Sequence, residues 1–290
     1  MLDEGRRKGS SVLRQIERIA RAGGDLRRQR RRDALATEEP LEIRLLRGEA
    51  GAVPLVVTMR TPGADFELAA GFLYGEGIVS GPEEIVGIRY CVDEEVDGAQ
   101  RYNVVNVQLA SGAAPRTAVP GRNFFSSSSC GVCGKATIDA VLAPLGARVL
   151  SPLRVHAGVL LSLPDRLRAA QRVFDRTGGL HAAALFGRDG ELLLLREDVG
   201  RHNALDKLVG ASLLAGGVPL RERVVLVSGR LSFELVQKAV RAGVPLLAGV
   251  SAPSSLAVEL AESAGLTLVG FLRETTFNVY ACGERIVDDA

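Results

Sequence analysis

The chain has 290 residues, of which 47% are hydrophobic and 24% charged, with four cysteines and no tryptophan. This length and apolar content can fill the core of one large domain or two smaller ones, and four cysteines are too few for the disulfide framework of a secreted scaffold. No apolar run reaches the ~18 residues of a membrane span, and the basic start lacks the apolar stretch of a signal peptide, so we expect a cytoplasmic protein that does not associate with membranes.

Basic residues are concentrated at the start of the sequence. Residues 1–32 hold 11 Lys/Arg and 4 Asp/Glu, whereas the rest of the chain is mildly acidic. Such a run can bind nucleic acid or an acidic partner, but it carries no aromatic side chains on which bases could stack. We therefore expect residues 1–37 to form a solvated, partly helical, flexible extension, and we expect no nucleic-acid partner.

Residues 38–120 alternate short strands with one helix. The predicted elements are strands over 41–45, 53–60, 85–92 and 102–109 and a helix over 65–74. The first two strands are close enough to form a hairpin, and Asp65 is placed to cap the helix. The segment is therefore expected to be a small α+β domain.

A Cys-x-x-Cys pair, Cys130 and Cys133, follows a run of four serines and precedes a helix predicted over 135–142. A structural zinc site needs four ligands, which usually come from two such pairs, and this sequence has only one. A zinc deaminase also needs a His-x-Glu, which this sequence lacks. A thioredoxin-type disulfide stays open, although the apolar strand that precedes such a motif is missing. Sulfur transfer fits better, because the neighbouring glycines allow movement, while Lys135 and the helix start stabilise a thiolate.

From residue 121 onward the sequence predicts an α/β layered domain that extends to residue 290. The predicted strands cover 180–186, 192–196, 224–227, 246–250 and 266–271, and the predicted helices cover 202–214, 233–241 and 256–264. The last three strands are almost continuously apolar and alternate with helices. This pattern is typical of parallel strands that are covered on both faces.

The junction over residues 196–207 combines six charged residues with a histidine. Asp206 lies one helical turn after His202, so we expect its carboxylate to orient the imidazole and raise its pKa. Asn203 and Lys207 could bind the polar edges of a ligand. The alternative is a solvated helix face with an exposed histidine. His156 and His181 have apolar neighbours and are expected to be structural.

Two loops follow parallel strands, at the sheet edge where ligands gather in such folds. The first is Ser228-Gly229-Arg230, and the second begins at Ser251. Hydroxyl groups, backbone N–H groups and helix N-termini at these loops suit a phosphate group. The alternative is that the serines only cap helices. Two successive loops of this kind favour a ligand cleft.

Several blocks of the sequence form a recognisable set, which consists of residues 122–125, 129–134, 177–183, 197–207, 228–230 and 277–280. Together they resemble the FdhD/NarQ family of formate dehydrogenase accessory proteins. The resemblance covers residues 38–282 and leaves out the basic extension. It implies a sulfurtransferase that takes sulfane sulfur from a cysteine desulfurase and delivers it to the molybdenum cofactor before that cofactor enters formate dehydrogenase, whose activity requires this step.

The resemblance also implies particular residues. Cys130 would carry the persulfide and Cys133 would match the second cysteine of the family. The cofactor, in its bis-guanine-dinucleotide form, is associated with Phe271, Leu272, Arg273, Glu274, Thr275 and Thr276. Where relatives carry a basic or glycine-containing turn, this chain has Glu274-Thr275-Thr276. The cofactor would be bound as a substrate, and a guanine nucleotide would mimic it.

The fold that the resemblance implies is a cytidine-deaminase-like three-layer α/β/α domain without catalytic zinc, preceded by the smaller α+β domain. We further expect a homodimer, with the desulfurase and apo-formate dehydrogenase as partners. The alternative function is that of a chaperone that binds the molybdenum cofactor for formate dehydrogenase without transferring sulfur.

Overall fold

The computed structural model describes residues 9–46, 51–91, 98–110, 124–125 and 148–288. The strands are β1 (Ser11–Ala22), β2 (Asp25–Ala36), β3 (Glu39–Leu46), β4 (Ala52–Arg60), β5 (Ile85–Tyr90), β6 (Val104–Leu109), β7 (Phe124–Phe125), β8 (Val155–His156), β9 (His181–Phe186), β10 (Leu192–Asp198), β11 (Val224–Val227), β12 (Leu246–Gly249), β13 (Thr267–Gly270), β14 (Asn278–Ala281) and β15 (Ile286–Val287). The helices are α1 (Asp65–Gly75), α2 (Ala157–Ala170), α3 (Arg172–Thr177), α4 (Arg201–Leu214), α5 (Phe233–Arg241) and α6 (Ser255–Ala264). Short 3-10 helices cover Pro82–Glu84, Gly98–Asn103 and Gly283–Arg285.

A six-stranded sheet forms the centre of the second half of the chain, in the order β10-β9-β11-β12-β13-β14. The strands β11, β12 and β13 are parallel, as predicted, and β9, β10 and β14 extend the sheet with antiparallel pairs. Successive side chains of a strand point to opposite faces. Other elements must therefore pack on both faces of these apolar strands to bury their side chains. A two-stranded parallel pair of β8 and β15 accompanies the sheet.

Helices cover both faces of this sheet. On one face, Leu160 and Leu163 of α2 pack against Ala184 and Phe186 of β9. The helices α4, α5 and α6 cover the other face, where their apolar residues share a core with the opposite-facing residues of the strands, such as Val225. The predicted three-layer α/β/α architecture is therefore confirmed. None of the described helices combines the length and the apolar character needed to cross a membrane.

A five-stranded mixed sheet, in the order β5-β6-β3-β4-β7, forms the first half together with α1. The predicted α+β character of this region is confirmed. Its last strand, Phe124–Phe125, pairs in parallel with Val56 and Val57 of β4, although the predicted boundary at residue 120 assigns these two residues to the second domain. Asp65 does not cap α1, since the cap residue is Ala64 and the Asp65 carboxylate accepts two hydrogen bonds of 3.1 Å from Arg60.

The two halves meet where α1 crosses α4. A Cβ atom on Gly71 of α1 would lie 1.8 Å from the carbonyl oxygen of Asp206, and one on Gly210 of α4 would lie 1.8 Å from that of Glu67. The two helices therefore touch through their backbones. Core residues of both sheets and of α1 and α4 belong to one continuous apolar cluster, so this crossing joins the two halves rigidly.

The N-terminal extension is not partly helical, and this part of the prediction is wrong. The strands β1 and β2 pair along 12 residues each as an antiparallel hairpin. Gly23 and Gly24 connect them, with φ angles of 61° and 95°, which is the backbone conformation of a two-residue type I′ turn. The structure also contains α2 and α3, which the sequence analysis did not predict.

Candidate functional site

Three loops meet at the edge of the six-stranded sheet, beyond the carboxyl ends of β11, β12 and β13. The Leu231 N–H donates to the carbonyl oxygen of Ala252 at 3.0 Å, and the Ser254 N–H donates back to Leu231 at 3.0 Å. The Phe271 N–H donates to the carbonyl oxygen of Ser251 at 3.2 Å. The structure thus brings the loop of Ser228, the loop of Ser251 and the segment 271–276 together. We call this region the strand-end edge.

His181 also belongs to the strand-end edge, and its interpretation as a structural histidine is corrected. Because β9 runs antiparallel to β11, its first residue lies where β11 ends. The Ala182 N–H donates to Ser228 Oγ at 2.9 Å, which fixes the start of β9 against the first loop. Burial and then the Arg201 charge lower the pKa of His181, while Asp198 opposes them. The imidazole is therefore neutral at pH 7.

A cavity of about 630 Å³ lies between this edge and the helices α2 and α3. Its polar lining consists of Asp165, Arg168, Gln171, His181, Ser228 and Glu274. Apolar walls come from Leu167, Phe174 and Val199. A cavity of this size with a few polar groups on apolar walls suits a small organic ligand. Because α2 and α3 were not predicted, sequence reasoning missed this wall of the site.

The predicted cofactor segment 271–276 follows β13 and is mostly exposed. Phe271 has a φ of 50° and is 42% exposed, and residues 273–276 are exposed as well. The Arg273 guanidinium donates to the carbonyl oxygens of Val250 and Leu272. Leu272 is completely buried, so its side chain packs in the core and cannot contact a ligand at the surface.

The first strand-end loop offers one exposed charge next to a constrained backbone. Arg230 is exposed, whereas Gly229 is buried. A Cβ atom on Gly229 would lie 3.3 Å from His181 Nδ1 and 3.5 Å from Arg201 Cδ. In the second loop, Ser254 Oγ accepts a hydrogen bond from the Ala257 N–H at 3.3 Å and caps α6, which confirms the alternative interpretation for that serine.

Asn203 and Lys207 do not face the strand-end edge, contrary to their prediction as ligand-binding residues. Lys207 is 2% exposed and pairs with Asp198 at 2.6 Å, and it donates to the carbonyl oxygen of Thr61 at 2.8 Å. Asn203 donates to the carbonyl oxygen of Met59 at 2.7 Å and to Asp198 at 3.2 Å. These residues bind the end of β4 to the start of α4.

His202 is not oriented by Asp206, and this prediction is wrong. Both oxygens of the Asp206 carboxylate accept hydrogen bonds of 2.8 Å from Lys238. His202 Nε2 lies 3.1 Å from Ser232 Oγ and 3.4 Å from Glu234 Oε2. Burial first, then the charges of Arg201 and Lys238, lower the pKa of His202 to about 3. The pKa of His202 is therefore lowered and not raised as predicted.

The arrangement of Ser232, His202 and Glu234 differs from a hydrolytic triad. In a triad the imidazole contacts the nucleophile through one nitrogen and the orienting carboxylate through the other. Here the serine and the glutamate approach the same nitrogen. These three residues therefore fasten α4 to α5, next to the buried Asp206–Lys238 pair. Burial raises the pKa of Asp206 to about 6 although Lys238 opposes it, so the pair is ionised at neutral pH.

Cys130, Cys133 and the helix predicted over 135–142 lie outside the described residues. In the described part of the chain, no group of three His, Cys, Asp or Glu side chains is arranged to hold a metal ion. The described strand nearest to the cysteines in sequence is β7, which runs parallel to β4 and ends level with Val57. Beyond Val57 on β4 come Thr58 and Met59, both hydrogen-bonded to Asn203.

Comparisons with known proteins agree on one family. A model of the FdhD/NarQ family matches residues 36–287. The chain is 58% identical to the sulfur carrier protein FdhD of Streptomyces avermitilis over 258 residues, which are 88% of this chain and 90% of that protein. It is 53% identical to the sulfur carrier protein FdhD of Mycobacterium tuberculosis over 264 residues, 88% of this chain and 92% of that one.

A crystal structure is similar as well. It belongs to a protein described as a formate dehydrogenase accessory protein from Desulfotalea psychrophila, which is 27% identical to this chain. The alignment covers 96% of this chain and 99% of that chain, with a TM-score of 0.71.

Proposed function

Because the chain belongs to the FdhD/NarQ family, we propose that it is a sulfurtransferase that carries sulfane sulfur from a cysteine desulfurase to the molybdenum cofactor. The cofactor, in its bis-guanine-dinucleotide form, is the substrate and passes on to formate dehydrogenase. The observation that carries this proposal is the match, over most of the chain, to the sulfur carrier protein of Streptomyces avermitilis. The name of the similar Desulfotalea protein supports formate dehydrogenase as the recipient.

The proposed carrier is Cys130. Its thiolate attacks the terminal sulfur of the desulfurase persulfide, the desulfurase cysteine leaves as a thiolate, and Cys130 becomes the persulfide. The Cys133 thiolate then attacks Cys130 Sγ. A Cys130–Cys133 disulfide forms, and the terminal sulfur leaves as sulfide to the molybdenum. The two cysteines supply the two electrons that reduce the sulfane sulfur, and a cellular thiol later reduces the disulfide.

The cavity at the strand-end edge is the proposed site for the guanine end of the cofactor. Guanine presents two adjacent N–H donors, and the carboxylates of Asp165 and Glu274 are cavity groups that accept hydrogen bonds. The apolar walls can sandwich the base. Arg168 at the cavity and the exposed Arg230 nearby supply positive charge for the pyrophosphate.

Transfer of radiolabelled sulfur tests the carrier assignment. The chain is incubated with a cysteine desulfurase and ³⁵S-labelled cysteine, and the label that thiols release from it is counted. We expect Cys130→Ala to lose the label, while Cys133→Ala and the control Cys282→Ala keep it. Full retention of the label by Cys130→Ala would refute the assignment.

Maturation of formate dehydrogenase separates the carrier from a chaperone. A sulfur carrier requires Cys130, so a strain that produces only the Cys130→Ala chain should contain inactive formate dehydrogenase. If the enzyme matures fully when both Cys130 and Cys133 are replaced, the chain acts as a cofactor-binding chaperone and the proposed transfer is wrong.

A further inference from the structure

Three consecutive charged residues at the end of β10 contact three different helices. Successive side chains of a strand point to opposite faces, so Arg196 and Asp198 share one face of the sheet and Glu197 lies on the other. Arg196 donates two hydrogen bonds to Glu67 of α1, and Asp198 pairs with Lys207 of α4 at 2.6 Å. Glu197 contacts α3, on the side of the sheet where the cavity lies.

The Glu197 carboxylate caps the N-terminus of α3. Its Oε2 accepts a hydrogen bond of 3.0 Å from the Val173 N–H, and its Oε1 accepts one of 2.8 Å from the Phe174 N–H. Both donors belong to the first turn of the helix, where N–H groups have no partner within the helix. The residue before α3, Gln171, supplies no side-chain cap. A negative charge is also favourable at a helix N-terminus, so Glu197 takes the place of a cap residue.

The position of α3 depends on contacts with the rest of the chain. The helix has six residues, and none of them is fully buried. Isolated helices of this length are not stable in water. The hydrogen bonds from Glu197 join the first turn of α3 to a strand of the central sheet, and hydrogen bonds to an ionised carboxylate are about twice as strong as those between neutral groups. Glu197 therefore helps to fix where this helix lies.

The helix α3 and the residue before it form one wall of the cavity. Gln171 and Phe174 line the cavity, and the guanidinium of Arg168 lies over the Phe174 ring, 4.8 Å from its centroid. Asp175 of α3 accepts a hydrogen bond from the same guanidinium. The position of Arg168, which carries the charge proposed for the pyrophosphate, thus depends on two residues of α3.

We propose that Glu197 is a positioning residue for nucleotide binding, which acts through α3 on Phe174 and Arg168. The inference rests on the proposed function, in which the cavity binds the guanine end of the cofactor. A shift of α3 moves both the apolar wall beside the base and the guanidinium that meets the phosphates. Both oxygens of Glu197 are engaged with the backbone of α3, so its replacement acts on the ligand through the helix.

Calorimetric titration with GDP and with guanosine tests the inference. Glu197→Gln keeps the shape of the side chain, but its amide has a single acceptor oxygen and loses one of the two hydrogen bonds. We expect GDP to bind about tenfold more weakly and guanosine to lose less, because guanosine has no phosphate for Arg168 to contact. The ratio of the two affinities is the readout, since a general loss of stability would weaken both ligands alike.

The matched control is Glu67→Gln, which disturbs the hydrogen bonds from Arg196 on the opposite face of β10. We expect it to shift the midpoint of urea denaturation about as much as Glu197→Gln does, but to bind GDP and guanosine with wild-type affinity. Arg168→Ala supplies a second test. In that background, Glu197→Gln should not lower the ratio of affinities further, since both residues act through the same contacts.

Failure of this inference and failure of the proposed function give different results. If the wild type binds GDP and Glu197→Gln binds it equally well, or loses GDP and guanosine by the same factor, Glu197 is not a positioning residue. The same holds if Glu197→Gln is unfolded, because the residue then supports the whole fold. If the wild type does not bind GDP, the cavity is not the nucleotide site, and the proposed role of the cavity fails together with the inference.

Discussion

The joint between the two halves of the molecule and the strand-end edge contain similar residues in opposite environments. At the joint, Asp198 is completely buried and accepts from the backbone of Thr61 and Gly200 while it pairs with Lys207. At the strand-end edge, Arg230 and Glu274 are exposed. Both regions begin where a strand ends. Burial and pairing, and not residue type, therefore distinguish the internal contact from the surface that can bind a ligand.

The two regions lie side by side because β10 ends between them. Its last residue, Asp198, pairs with His181 of the strand-end edge, and the chain then enters α4, which forms the joint with α1. A rigid joint fixes the position of α4 and β4 relative to the cavity. We therefore expect changes at the joint to lower the stability of the whole chain and changes at the cavity to alter binding alone.

Replacement of Gly210 by alanine should have the largest effect. Its Cβ atom would lie 1.8 Å from the carbonyl oxygen of Glu67, so α1 and α4 must separate. Alanine favours a helix by about 1 kcal/mol over glycine, yet we expect a net loss of at least about 3 kcal/mol in the free energy of unfolding. Urea denaturation measures it.

Gly87→Ala is the matched control for this change, because a Cβ atom there meets nothing within 4 Å. We expect it to alter the free energy of unfolding by less than about 1 kcal/mol. Equal stability of Gly210→Ala and the wild type would show that the two helices are not in backbone contact.

Replacement of Lys207 by methionine should have the next largest effect. It leaves the buried Asp198 carboxylate without its positive partner, which costs about 3 kcal/mol. Adding Asp198→Asn removes the unpaired charge, so the double variant should regain part of this loss. Denaturation of the two single variants and the double variant gives the coupling energy.

The control for the Lys207 variant is the surface pair of Arg168 and Asp175, whose side chains are about half exposed. Asp175→Asn should cost less than about 1 kcal/mol. A similarly small cost for Lys207→Met would mean that Lys207 is not an internal ion-pair partner, and its predicted contact with a ligand would return.

The pH dependence of stability should report on His202. Its pKa is near 6.5 in the unfolded chain and about 3 in the folded chain, so the unfolded chain binds the proton first as the pH falls. The free energy of unfolding should therefore decrease below pH 6.5, by up to about 1.4 kcal/mol per pH unit from this group. His202→Gln should remove this part of the slope.

Urea denaturation at several pH values between 4.5 and 7.5 measures that slope. Leu150→Gln provides the control, since this residue is 80% exposed and its replacement keeps His202, so it should keep the wild-type slope. An unchanged slope in His202→Gln would contradict the burial of a neutral imidazole between α4 and α5.

The sequence predicted those strands and helices whose hydrophobic pattern depends only on residues close together in the chain. The strand Val224–Val227 and the helix Phe233–Arg241 have the predicted bounds, because continuous apolar runs and helical spacing are properties of neighbouring residues. It did not predict α2, where Leu160 and Leu163 recur at helical spacing but Pro164 argues against a helix. In β1, Leu13, Ile16 and Ala20 have helical spacing too, and the pairing with β2 overrides it.

At the candidate site, the sequence predicted that the loops of Ser228 and Ser251 lie together, but it did not predict which charged side chains there are free of internal ion pairs. Ser228 and Ser251 come together because parallel strands end at one edge, which follows from the order of elements. The partner of Asp206 is Lys238, 32 residues away, and that of Lys207 is Asp198. Spacing along a helix cannot show such partners, because packing of other elements selects them.

Calorimetric titration with GDP is the most direct test that the cavity at the strand-end edge binds the substrate. Val199 lines the cavity, and Val199→Trp fills it, while Leu150→Trp adds the same ring at a residue that is 80% exposed. We predict that the wild type and Leu150→Trp bind one GDP per chain, and that Val199→Trp binds at least about tenfold more weakly. Binding of GDP to Val199→Trp with wild-type affinity would contradict the account.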